Sequence, residues 1–356
     1  MKYMKTTDVL IIGAGLSGLA TAYYLQKEGL DTTIIEARNR LGGRIHTLRN
    51  EGEPPIEMGA TWLGRKHRHL TALLKELDIG IYEQYMGDRG FYEPMSTSPP
   101  QLVTLPPNEE PSYRIDGGSG RLVQSLADHL AQGTIITGET VQSIRKDDNQ
   151  LLAETGSNSY RADIIVSTLP PKLLSTLKFT PSLPDPLRNT ASRTHTWMAE
   201  SIKVALTFDE PFWRQPTSSG TIFSNVGPVD EMYDHSSDSQ NCFALKGFMD
   251  GAFHSVSRED RKKRLLEQLN RFYGDKADDY NAYHETVWRE EPHTYAAYDE
   301  PVIPHQLNGS PVFQEPIFNG RLILAGSETA TAFPGYMDGA VESAQTAVGR
   351  LRPMLP

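Results

Sequence analysis

The stretch DVLIIGAGLSG at residues 8–18 decides the fold, and it continues through a helical pattern to TTIIE at residues 32–36. Val9–Ile12 is a short apolar run of the kind that forms a buried parallel strand. Glycines spaced G-x-G-x-x-G follow this run directly, and a second apolar run at Thr33–Ile35 ends in Glu36. Strand, glycine turn, helix and second strand together predict a βαβ unit that binds a dinucleotide.

Each residue type in this unit has a task in dinucleotide binding. Gly13 lets the chain turn tightly after the strand, Gly15 lets the backbone approach a pyrophosphate, and Gly18 lets the helix pack close to the strand. The helix N-terminus offers free N–H groups and a partial positive charge to the phosphates. Glu36 follows Gly18 by 18 residues (36 − 18), which places its carboxylate where a ribose is bound.

The composition is that of an ordinary globular protein. The chain has 356 residues, enough for two domains, and 38% of them are hydrophobic and 22% charged. A net charge of −10 argues against nucleic acid or an anionic membrane as a general partner. Cys242 is the single cysteine, so no internal disulfide can form and we expect a cytoplasmic protein. Neither a membrane anchor nor a metal site is expected, because no apolar run is long enough and the histidines show no ligand pattern.

Residues 36–44, with the sequence EARNRLGGR, resemble the E-A-R-x-R-x-G-G-R segment of the flavin-dependent amine oxidase superfamily. Enzymes that use a nicotinamide cofactor do not usually carry this segment. The resemblance therefore implies that the dinucleotide is FAD. In the family, the glycine pair and the arginine after it lie along the pyrophosphate and lead toward the flavin. The corresponding cofactor-binding candidates are Arg38, Gly42, Gly43 and Arg44.

Other segments extend this resemblance along the chain. Residues 56–62, IEMGATW, resemble the strand beside the flavin ring, with an alanine in place of the family's second glycine. GSETAT at 326–331 and GYMDGAVES at 335–343 resemble the C-terminal FAD signature of monoamine oxidases. The resemblance implies that the backbone of Val141 contacts the adenine and that the Met337 N–H lies near the flavin N1–O2 edge. The further cofactor-binding candidates are Gly59, Ala60, Thr61, Trp288, Gly326, Ser327 and Glu328.

Three residues carry the resemblance into the chemistry. Lys203 lies between apolar residues on a predicted strand, and in the family this lysine holds a water bridged to flavin N5. In monoamine oxidases two tyrosines stand before the flavin and sandwich the amine, and the family's spacing places Tyr298 and Tyr336 there. The alternative is a solvated strand lysine with two ordinary half-buried tyrosines. Relatives with covalent flavin have cysteine where this chain has Ala297, so FAD should be bound non-covalently.

The resemblance also implies the architecture. The fold class is α/β, with a Rossmann-like FAD-binding domain of the glutathione-reductase/p-hydroxybenzoate-hydroxylase type and a second, mixed-sheet substrate domain. We expect a discontinuous FAD-binding domain made of residues 1–80, 113–183 and 288–356. Residues 81–112 and 184–287 then form the substrate domain.

The function implied by the resemblance is oxidation of a C–N bond of an amine. A hydride passes to flavin N5 and an imine forms, and the electrons then pass to oxygen, giving hydrogen peroxide, or to another acceptor. Two alternatives stay open. One is an FAD-dependent desaturase or porphyrinogen-oxidase-like enzyme, which does not need Lys203 with the tyrosine pair. The other is a non-catalytic FAD-binding subunit of a larger complex.

One interval is too short for the helical region that most relatives insert over the substrate cavity. Residues 81–116 number 36 (116 − 81 + 1), are rich in proline and show no long helical pattern. They can supply a loop or a strand pair but not a helical bundle. We therefore expect an open cavity that a second subunit in a homodimer, a partner protein or a large amine-bearing substrate covers. Hydride transfer requires that water be excluded, and large exposed apolar rims are rare in monomers.

Overall fold

The computed structural model describes residues 3–196, 198–214, 218–237 and 242–354. The strands are β1 (Tyr3–Ile12), β2 (Thr32–Ile35), β3 (Thr47–Leu48), β4 (Ile56–Glu57), β5 (Trp62–Leu63), β6 (Ile81–Glu83), β7 (Arg89–Glu93), β8 (Gln101–Thr104), β9 (Tyr113–Ile115), β10 (Ile135–Ile136), β11 (Val141–Asp147), β12 (Gln150–Thr155), β13 (Asn158–Ser167), β14 (Lys178–Thr180), β15 (Ile202–Phe208), β16 (Ile222–Ser224), β17 (Val229–Asp234), β18 (Phe243–Met249), β19 (Ala282–Val287) and β20 (Leu322–Leu324). The α-helices are α1 (Leu16–Lys27), α2 (Arg68–Glu76), α3 (Ser119–Asp128), α4 (Pro171–Leu174), α5 (Asp185–Arg193), α6 (Arg258–Tyr273) and α7 (Met337–Leu351).

An eight-stranded mixed sheet contains the N-terminal unit. Its order is β10-β2-β1-β13-β12-β11-β14, and β20 pairs with β13. β1 runs parallel to β2 and β13, so Val9 lies opposite Thr32 on one side and Ile164 on the other. Residues 9–12 are buried, as in a parallel strand that is covered on both faces of its sheet. The βαβ unit predicted from the sequence is confirmed.

The last helix returns to the first one. α7 packs against α1 and α2, and its Val341 and Ala344 share a core with Leu19 of α1 and Val166 of β13. β20, which precedes α7, runs parallel to β13. The two sequence signatures, more than 300 residues apart along the chain, therefore meet at the same edge of one sheet.

A second sheet has seven strands in the order β19-β15-β18-β17-β16-β7-β8. β15 pairs antiparallel with β18 and β19, whereas β16 and β7 pair in parallel, so this sheet is mixed, as expected. α6 covers it by burying Leu265, Leu269 and Phe272 against its apolar face.

The proline-rich interval forms a strand pair on the edge of this second sheet. β7 and β8 pair antiparallel, with Phe91 opposite Leu102, and β7 joins β16 with Phe91 opposite Ile222. β6 and β9 join β5 in a small three-stranded sheet. Residues 81–116 contain no helix, so of the expected loop or strand pair the structure has the strand pair, and the expectation that this interval forms no helical bundle is confirmed.

The chain crosses to the second sheet at β15. Before the crossing, α5 packs Leu187 and Ala191 into the core of the first sheet, beside Leu10 and Ile144. The boundary predicted at residue 184 therefore precedes a helix of the first core, and the domain limits stay a prediction. Within the described ranges, none of the helices has the length and apolar character that crossing a membrane requires.

Candidate active site

A cleft of about 1230 Å³ lies where the two sheets meet. Its wall includes the turn after β1, the loop after β2, the turn before α7, and parts of β15 and β18. The volume exceeds the roughly 300–1,000 Å³ of a usual small-molecule pocket, so the cleft has room for a dinucleotide and a substrate together.

Most of the residues predicted from the sequence line this cleft. Lys203 and Tyr336 are among them, together with Gly13, Gly15, Glu36, Arg38, Gly42, Gly43, Arg44, Gly59, Ala60, Thr61, Val141, Trp288, Gly326, Ser327 and Met337. Three predicted residues, Gly18, Glu328 and Tyr298, are described but do not form its wall. Tertiary folding thus gathers separate segments of the chain around one space.

The glycine turn after β1 has the geometry that a phosphate-binding turn needs. Gly13 has φ = +102°, where a side chain would be strained. A Cβ atom on Gly18 would lie 1.9 Å from the carbonyl oxygen of Gly13, so a glycine lets α1 start this close to β1. Gly15 precedes α1 and, because it has no side chain, leaves the first N–H groups of the helix uncapped. The first N–H groups of α1 are therefore available to an anion.

The second glycine pair lies directly on the first turn. Gly42 forms a β-bridge with Gly15, and its N–H donates to the carbonyl of Ala14 at 2.8 Å. A Cβ atom on Gly43 would lie 3.3 Å from the Cα atom of Gly15. The two loops therefore present one continuous backbone surface to the cleft.

Glu36 is buried at the end of β2 and fixed by backbone N–H groups. Its Oε2 accepts from Ala14 N–H at 2.8 Å and its Oε1 from Arg38 N–H at 2.9 Å. The Arg38 guanidinium pairs with Glu291 at 2.8 Å. A carboxylate has about four lone-pair sites, so Glu36 can still accept hydrogen bonds from the hydroxyls of a ribose.

An ion pair joins the EARNRLGGR segment at residues 36–44 to the GSETAT segment at residues 326–331. Arg44 makes a bidentate contact with Glu328, whose side chain is 1% exposed, and Arg44 also donates to Ser327 Oγ at 3.1 Å. Burial acts to raise the pKa of Glu328, but the charge and hydrogen bonds of Arg44 outweigh it, and the pKa lies below its ordinary value. The pair locks the loop after β2 against the turn before α7.

The segment predicted to lie beside the flavin ring is held by close backbone contacts. A Cβ atom on Gly59 would lie 2.0 Å from the carbonyl oxygen of Arg44, and Ala60 N–H donates to the same carbonyl at 3.0 Å. The Trp288 indole donates to the carbonyl of Met58 at 2.8 Å. These contacts fix residues 58–61 as a rigid part of the cleft wall.

Lys203 projects from β15 into the cleft wall and is buried, at 5% exposure. Its ammonium donates to the carbonyl of Gly59 and lies 4.7 Å from the Phe248 ring centre and 6.0 Å from that of Trp62. Burial lowers the pKa of Lys203 to about 8, and the charge of Glu57 opposes this shift. The amine can therefore gain or lose a proton near neutral pH.

A second buried lysine, Lys246 on β18, was not anticipated from the sequence. Its Nζ donates to Thr61 Oγ1 at 2.5 Å and lies 4.4 Å from the Trp62 ring centre. Burial, followed by the charge of Lys203, lowers the pKa of Lys246 well below its ordinary value. The available signal was a lysine inside an apolar strand, a feature that Lys203 shares, although it was the family resemblance that singled out Lys203.

Tyr298 lies behind the cleft wall. Its hydroxyl donates to the carbonyl of Thr194 at 3.0 Å and accepts from Thr196 N–H at 3.1 Å. Its ring meets His195 edge-on, with 4.6 Å between the ring centres. In this structure Tyr298 anchors the segment that leads from α5 to β15.

Tyr336 lines the cleft and belongs to an aromatic group at the start of α7. Its ring stacks on His305 with centres 5.5 Å apart and planes 17° apart, and it also contacts His67 at 5.7 Å. These contacts fix the ring orientation. Of the two tyrosines predicted from the sequence, the structure thus places one in the cleft wall and the other behind it.

Acidic residues line the part of the cleft beside the second sheet. Asp230, Glu231, Asp250 and Glu200 all contribute to its lining. Burial, together with the charges of Asp250 and Glu231, raises the pKa of Asp230. Sequence reasoning did not single out these residues, because they lie on separate strands and turns.

The residues around the other side of the cleft fit FAD. They supply a positive-φ turn, unused helix N–H groups and a carboxylate with spare acceptor sites, which is the donor and acceptor set of a dinucleotide site. Across the residues that the structure describes, no group of three or more His, Cys, Asp and Glu could hold a metal ion.

Comparison with protein families gives the same result. The family described as "Flavin containing amine oxidoreductase" matches residues 16–96 and 92–352. The chain belongs to this family. FAD is therefore its cofactor, and the family's reaction is the oxidation of amines. The match consists of two segments that meet in the proline-rich interval, where the structure has the β7–β8 strand pair.

Among the flavin containing amine oxidoreductases, similar curated proteins are monoamine oxidases. The probable flavin-containing monoamine oxidase A of Dictyostelium discoideum is 26% identical over 441 aligned positions, covering 94% of this chain and 95% of that protein. Human amine oxidase [flavin-containing] B is 24% identical, covering 96% of this chain and 85% of that protein. Both alignments are longer than the 356 residues of this chain, so both relatives contain segments that it lacks.

Solved structures show the same fold. Wild-type putrescine oxidase bound to putrescine superposes with a TM-score of 0.84 at 22% identity, covering 98% of this chain and 100% of that chain. Cyclohexylamine oxidase from Brevibacterium oxydans IH-35A gives a TM-score of 0.85 at 20% identity, covering 98% and 99% of the two chains. The predicted α/β fold, with an FAD-binding and a second mixed sheet, is confirmed.

Proposed function

We propose that this protein oxidises an amine to an imine in the cleft between its two sheets. When bound, FAD supplies the hydride acceptor, and oxygen or another acceptor then takes the electrons. The observation that carries the proposal is the buried amine of Lys203, which faces the same cleft as the glycine turns and the Arg44–Glu328 pair. A flavin carrier without chemistry does not need a buried titratable amine in this place.

Lys203 would act on protons and water at the flavin. Its Nζ is held by the Gly59 carbonyl, so the amine has a fixed position at the cleft wall. Trp62 and Phe248 flank it with apolar faces, which limits the access of water and strengthens the effect of its charge. The pKa of Lys203, about 8, lets it exchange a proton in the pH range where enzymes usually work.

Tyr336 would supply an aromatic face to the substrate. Its ring lines the cleft and is fixed by His305 and His67, and an electron-rich face favours an amine or its cation. We also propose Tyr298 for the substrate site. Its contribution here runs through the 194–196 segment that its hydroxyl holds.

The substrate would approach the cleft as an ammonium ion. Asp230, Glu231 and Asp250 line the cleft, and carboxylates in such a place would raise the local concentration of cations. Glu200 also lines the cleft but is paired with Arg289 at 3.7 Å. An amine of either a small molecule or a larger amine-bearing molecule fits this charge. The reactive amine must lose its proton before it is oxidised, and Lys203 could accept that proton only when it is itself neutral, above its pKa of about 8.

FAD would be held without a covalent bond to a thiol. Ala297 precedes Tyr298, and an alanine methyl group cannot form a thioether. Cys242 is not among the cleft-lining residues, and its Sγ donates to the carbonyl of Gly52 at 3.4 Å. Heating or acid should therefore release intact FAD, whereas flavin that remains on the denatured polypeptide would contradict non-covalent binding.

The open side of the cleft would be covered by something other than this polypeptide. No residue between Trp62 and Glu139 in the sequence is part of the cleft lining. Residues 81–116, all of them described, therefore contribute no part of the wall. A second copy of the chain, a partner protein or a bulky substrate would serve. Fast oxidation of benzylamine by a demonstrably monomeric sample would refute this part of the proposal.

A cytoplasmic location, favoured by the single cysteine, is proposed as well.

Anaerobic titration with a panel of amines tests the proposed function. We expect bleaching of the oxidised flavin band by at least one amine without any added protein, followed by recovery of the band when oxygen is admitted. Bleaching by a substrate that contains no amine would favour the desaturase or porphyrinogen-oxidase-like alternative. A flavin that no amine reduces, in a sample that binds FAD at one per chain, would favour a non-catalytic subunit.

A further inference from the structure

Two buried lysine side chains converge on one short segment of the cleft wall. β15 and β18 pair antiparallel with Lys203 opposite Phe248 and Ala205 opposite Lys246. The two lysines are therefore diagonal neighbours on one face of the sheet. Both amine nitrogens lie near the same two rings, 6.0 and 4.4 Å from the centre of Trp62 and 4.7 and 5.8 Å from that of Phe248. Both side chains end beside Gly59 and Thr61.

The hydrogen bonds of the two amines lead to neighbouring residues, with a definite donor order. The Thr61 hydroxyl donates its one hydrogen to the Gly59 carbonyl at 3.2 Å, so Thr61 Oγ1 accepts from Lys246. The Gly59 carbonyl also accepts from Lys203. Neither amine has a carboxylate among these partners, so two ammonium ions in this place would each lack a direct counter-charge. An ammonium has no lone pair, so a hydrogen bond from one amine to the other requires that the acceptor be neutral.

The charges around the two amines favour a neutral amine. Glu57 is a carboxylate whose charge acts on both of them, and Arg114 acts on Lys246 as a further cation. Both oxygens of Glu57 are already engaged, by Ser119 N–H and by Thr47 Oγ1 at 2.8 Å. His235 Nε2 accepts from Glu57 N–H at 3.2 Å and adds no counter-charge. Two buried ammonium ions and an arginine would exceed the available negative charge.

We propose that Lys246 is a neutral amine in the folded protein and a positioning residue for Lys203, so that the pair holds a single proton beside Gly59 and Thr61. Lys246 accepts a hydrogen bond from the Lys203 ammonium and directs it onto the Gly59 carbonyl, at the wall of the cleft. The ring of Trp62, 4.4 Å from Lys246 Nζ, closes the pair from the other side. This inference rests on the proposed role of Lys203 in amine oxidation.

The direction of the pKa shifts supports this assignment of the proton. Burial, then the charge of Lys203, lowers the pKa of Lys246 well below the ordinary lysine value. Burial lowers the pKa of Lys203 less, to about 8, and the hydrogen bond to Lys246 helps to keep it there. The first proton that the pair binds therefore belongs to Lys203. Among the described residues, Glu57, Arg114 and His235 are ionisable groups that interact electrostatically with the pair.

Unfolding of the FAD-loaded protein measures the protonation state of Lys246 without using activity. A lysine that is neutral when folded and protonated when unfolded takes up one proton on unfolding, so stability rises with pH. We expect the unfolding equilibrium constant of the wild type, relative to that of Lys246→Gln, to fall about tenfold per pH unit between pH 6.5 and 7.5. Lys263→Gln is the control, because its side chain is 74% exposed, and it should give no such trend. A wild type/Lys246→Gln ratio that is constant with pH would overturn the proposal.

A matched pair of variants tests whether Lys246 positions Lys203. Gln can accept the hydrogen bond from Lys203 and Met cannot, although the two side chains are similar in size. In anaerobic flavin reduction, the Lys203-dependent step near pH 8 should remain in Lys246→Gln and shift to lower pH in Lys246→Met, where the ammonium has lost its acceptor. Equal pH profiles in the two variants would reduce Lys246 to a packing role and contradict the proposal.

One further variant separates this inference from the proposed function. Lys203→Met should abolish the step near pH 8 altogether. If Lys203→Met keeps the wild-type profile, the proposed role of Lys203 fails, while the proton count from unfolding still decides the state of Lys246. A wild-type pH profile of flavin reduction in Lys203→Met, combined with a tenfold change per pH unit in the unfolding ratio for Lys246→Gln, would refute the role of Lys203 but keep the neutral state of Lys246. A wild-type profile combined with a constant ratio would refute both.

Discussion

The two sides of the cleft are built from different parts of the polypeptide. On the dinucleotide side the functional groups are mostly backbone, set by glycines at positions where a Cβ atom would collide, as at Gly18 and Gly59. On the side proposed for the amine, called the amine side below, the candidate groups are side chains, such as Lys203 and Tyr336, held by neighbours from other elements. The first side is encoded locally, whereas the second depends on long-range packing. Substitutions on the two sides should therefore fail in different ways.

The largest effect is expected from Gly18→Ala on the dinucleotide side. Its Cβ atom would lie 1.9 Å from the carbonyl oxygen of Gly13, so α1 must move away from β1. We expect loss of FAD binding and a fall of about 3 kcal/mol in the free energy of unfolding, measured by flavin content and urea denaturation. Gly64→Ala, where a Cβ atom meets nothing within 4 Å, is the matched control. Full flavin content in Gly18→Ala would show that the turn is not the binding element.

The next largest effect is expected from breaking the ion pair between Arg44 and Glu328. Glu328→Gln leaves the Arg44 guanidinium without its counter-charge beside a fully buried side chain. We expect a loss of about 2 kcal/mol in stability, less than for a fully buried pair because the Arg44 side chain is 27% exposed. FAD should dissociate more readily as well. Asp147→Asn, which breaks exposed contacts with Arg145 and Arg161, should cost less than about 1 kcal/mol.

On the amine side, Lys203→Met should change rates rather than the fold. FAD stays bound, and flavin reduction or reoxidation slows by about tenfold or more, as stopped-flow absorbance would record. Although the rates fall, the free energy of unfolding of Lys203→Met should rise relative to the wild type. A buried lysine with a pKa of about 8 penalises the folded state fully below pH 8, and the penalty fades toward pH 10.5. Lys203→Met should therefore exceed the wild type in stability most clearly below pH 8. Wild-type rates in both half-reactions would remove Lys203 from the mechanism.

The smallest effect is expected from the acidic residues that line the cleft. Replacing Asp230 and Glu231 by their amides weakens the negative potential without touching Lys203 or the glycine turns. The apparent second-order rate constant for a cationic amine should fall a few-fold at low salt and approach that of the wild type at high salt, because salt screens such fields. The same ratio at all ionic strengths would rule out electrostatic steering by these residues.

The sequence by itself determined the dinucleotide side almost completely. G-x-G-x-x-G, EARNRLGGR and GSETAT each fix a local backbone shape, because glycine and the strand–turn–helix pattern leave few alternative conformations. The short interval at 81–116 excluded a helical bundle for the same reason, since 36 residues rich in proline cannot form one. Only three of the predicted residues fall outside the cleft wall, and two of them, Gly18 and Glu328, support it from behind.

Tertiary structure decided how the amine side is arranged, although the family resemblance already predicts Lys203 and Tyr336 there. The pairing of β7 with β16, the turning of Tyr298 behind the wall and the convergence of Lys203 with Lys246 all join residues far apart in sequence. Local patterns carry no information on which strands become neighbours. A lysine in an apolar strand can be solvated, paired or buried, and its charge depends on what the rest of the chain places around it.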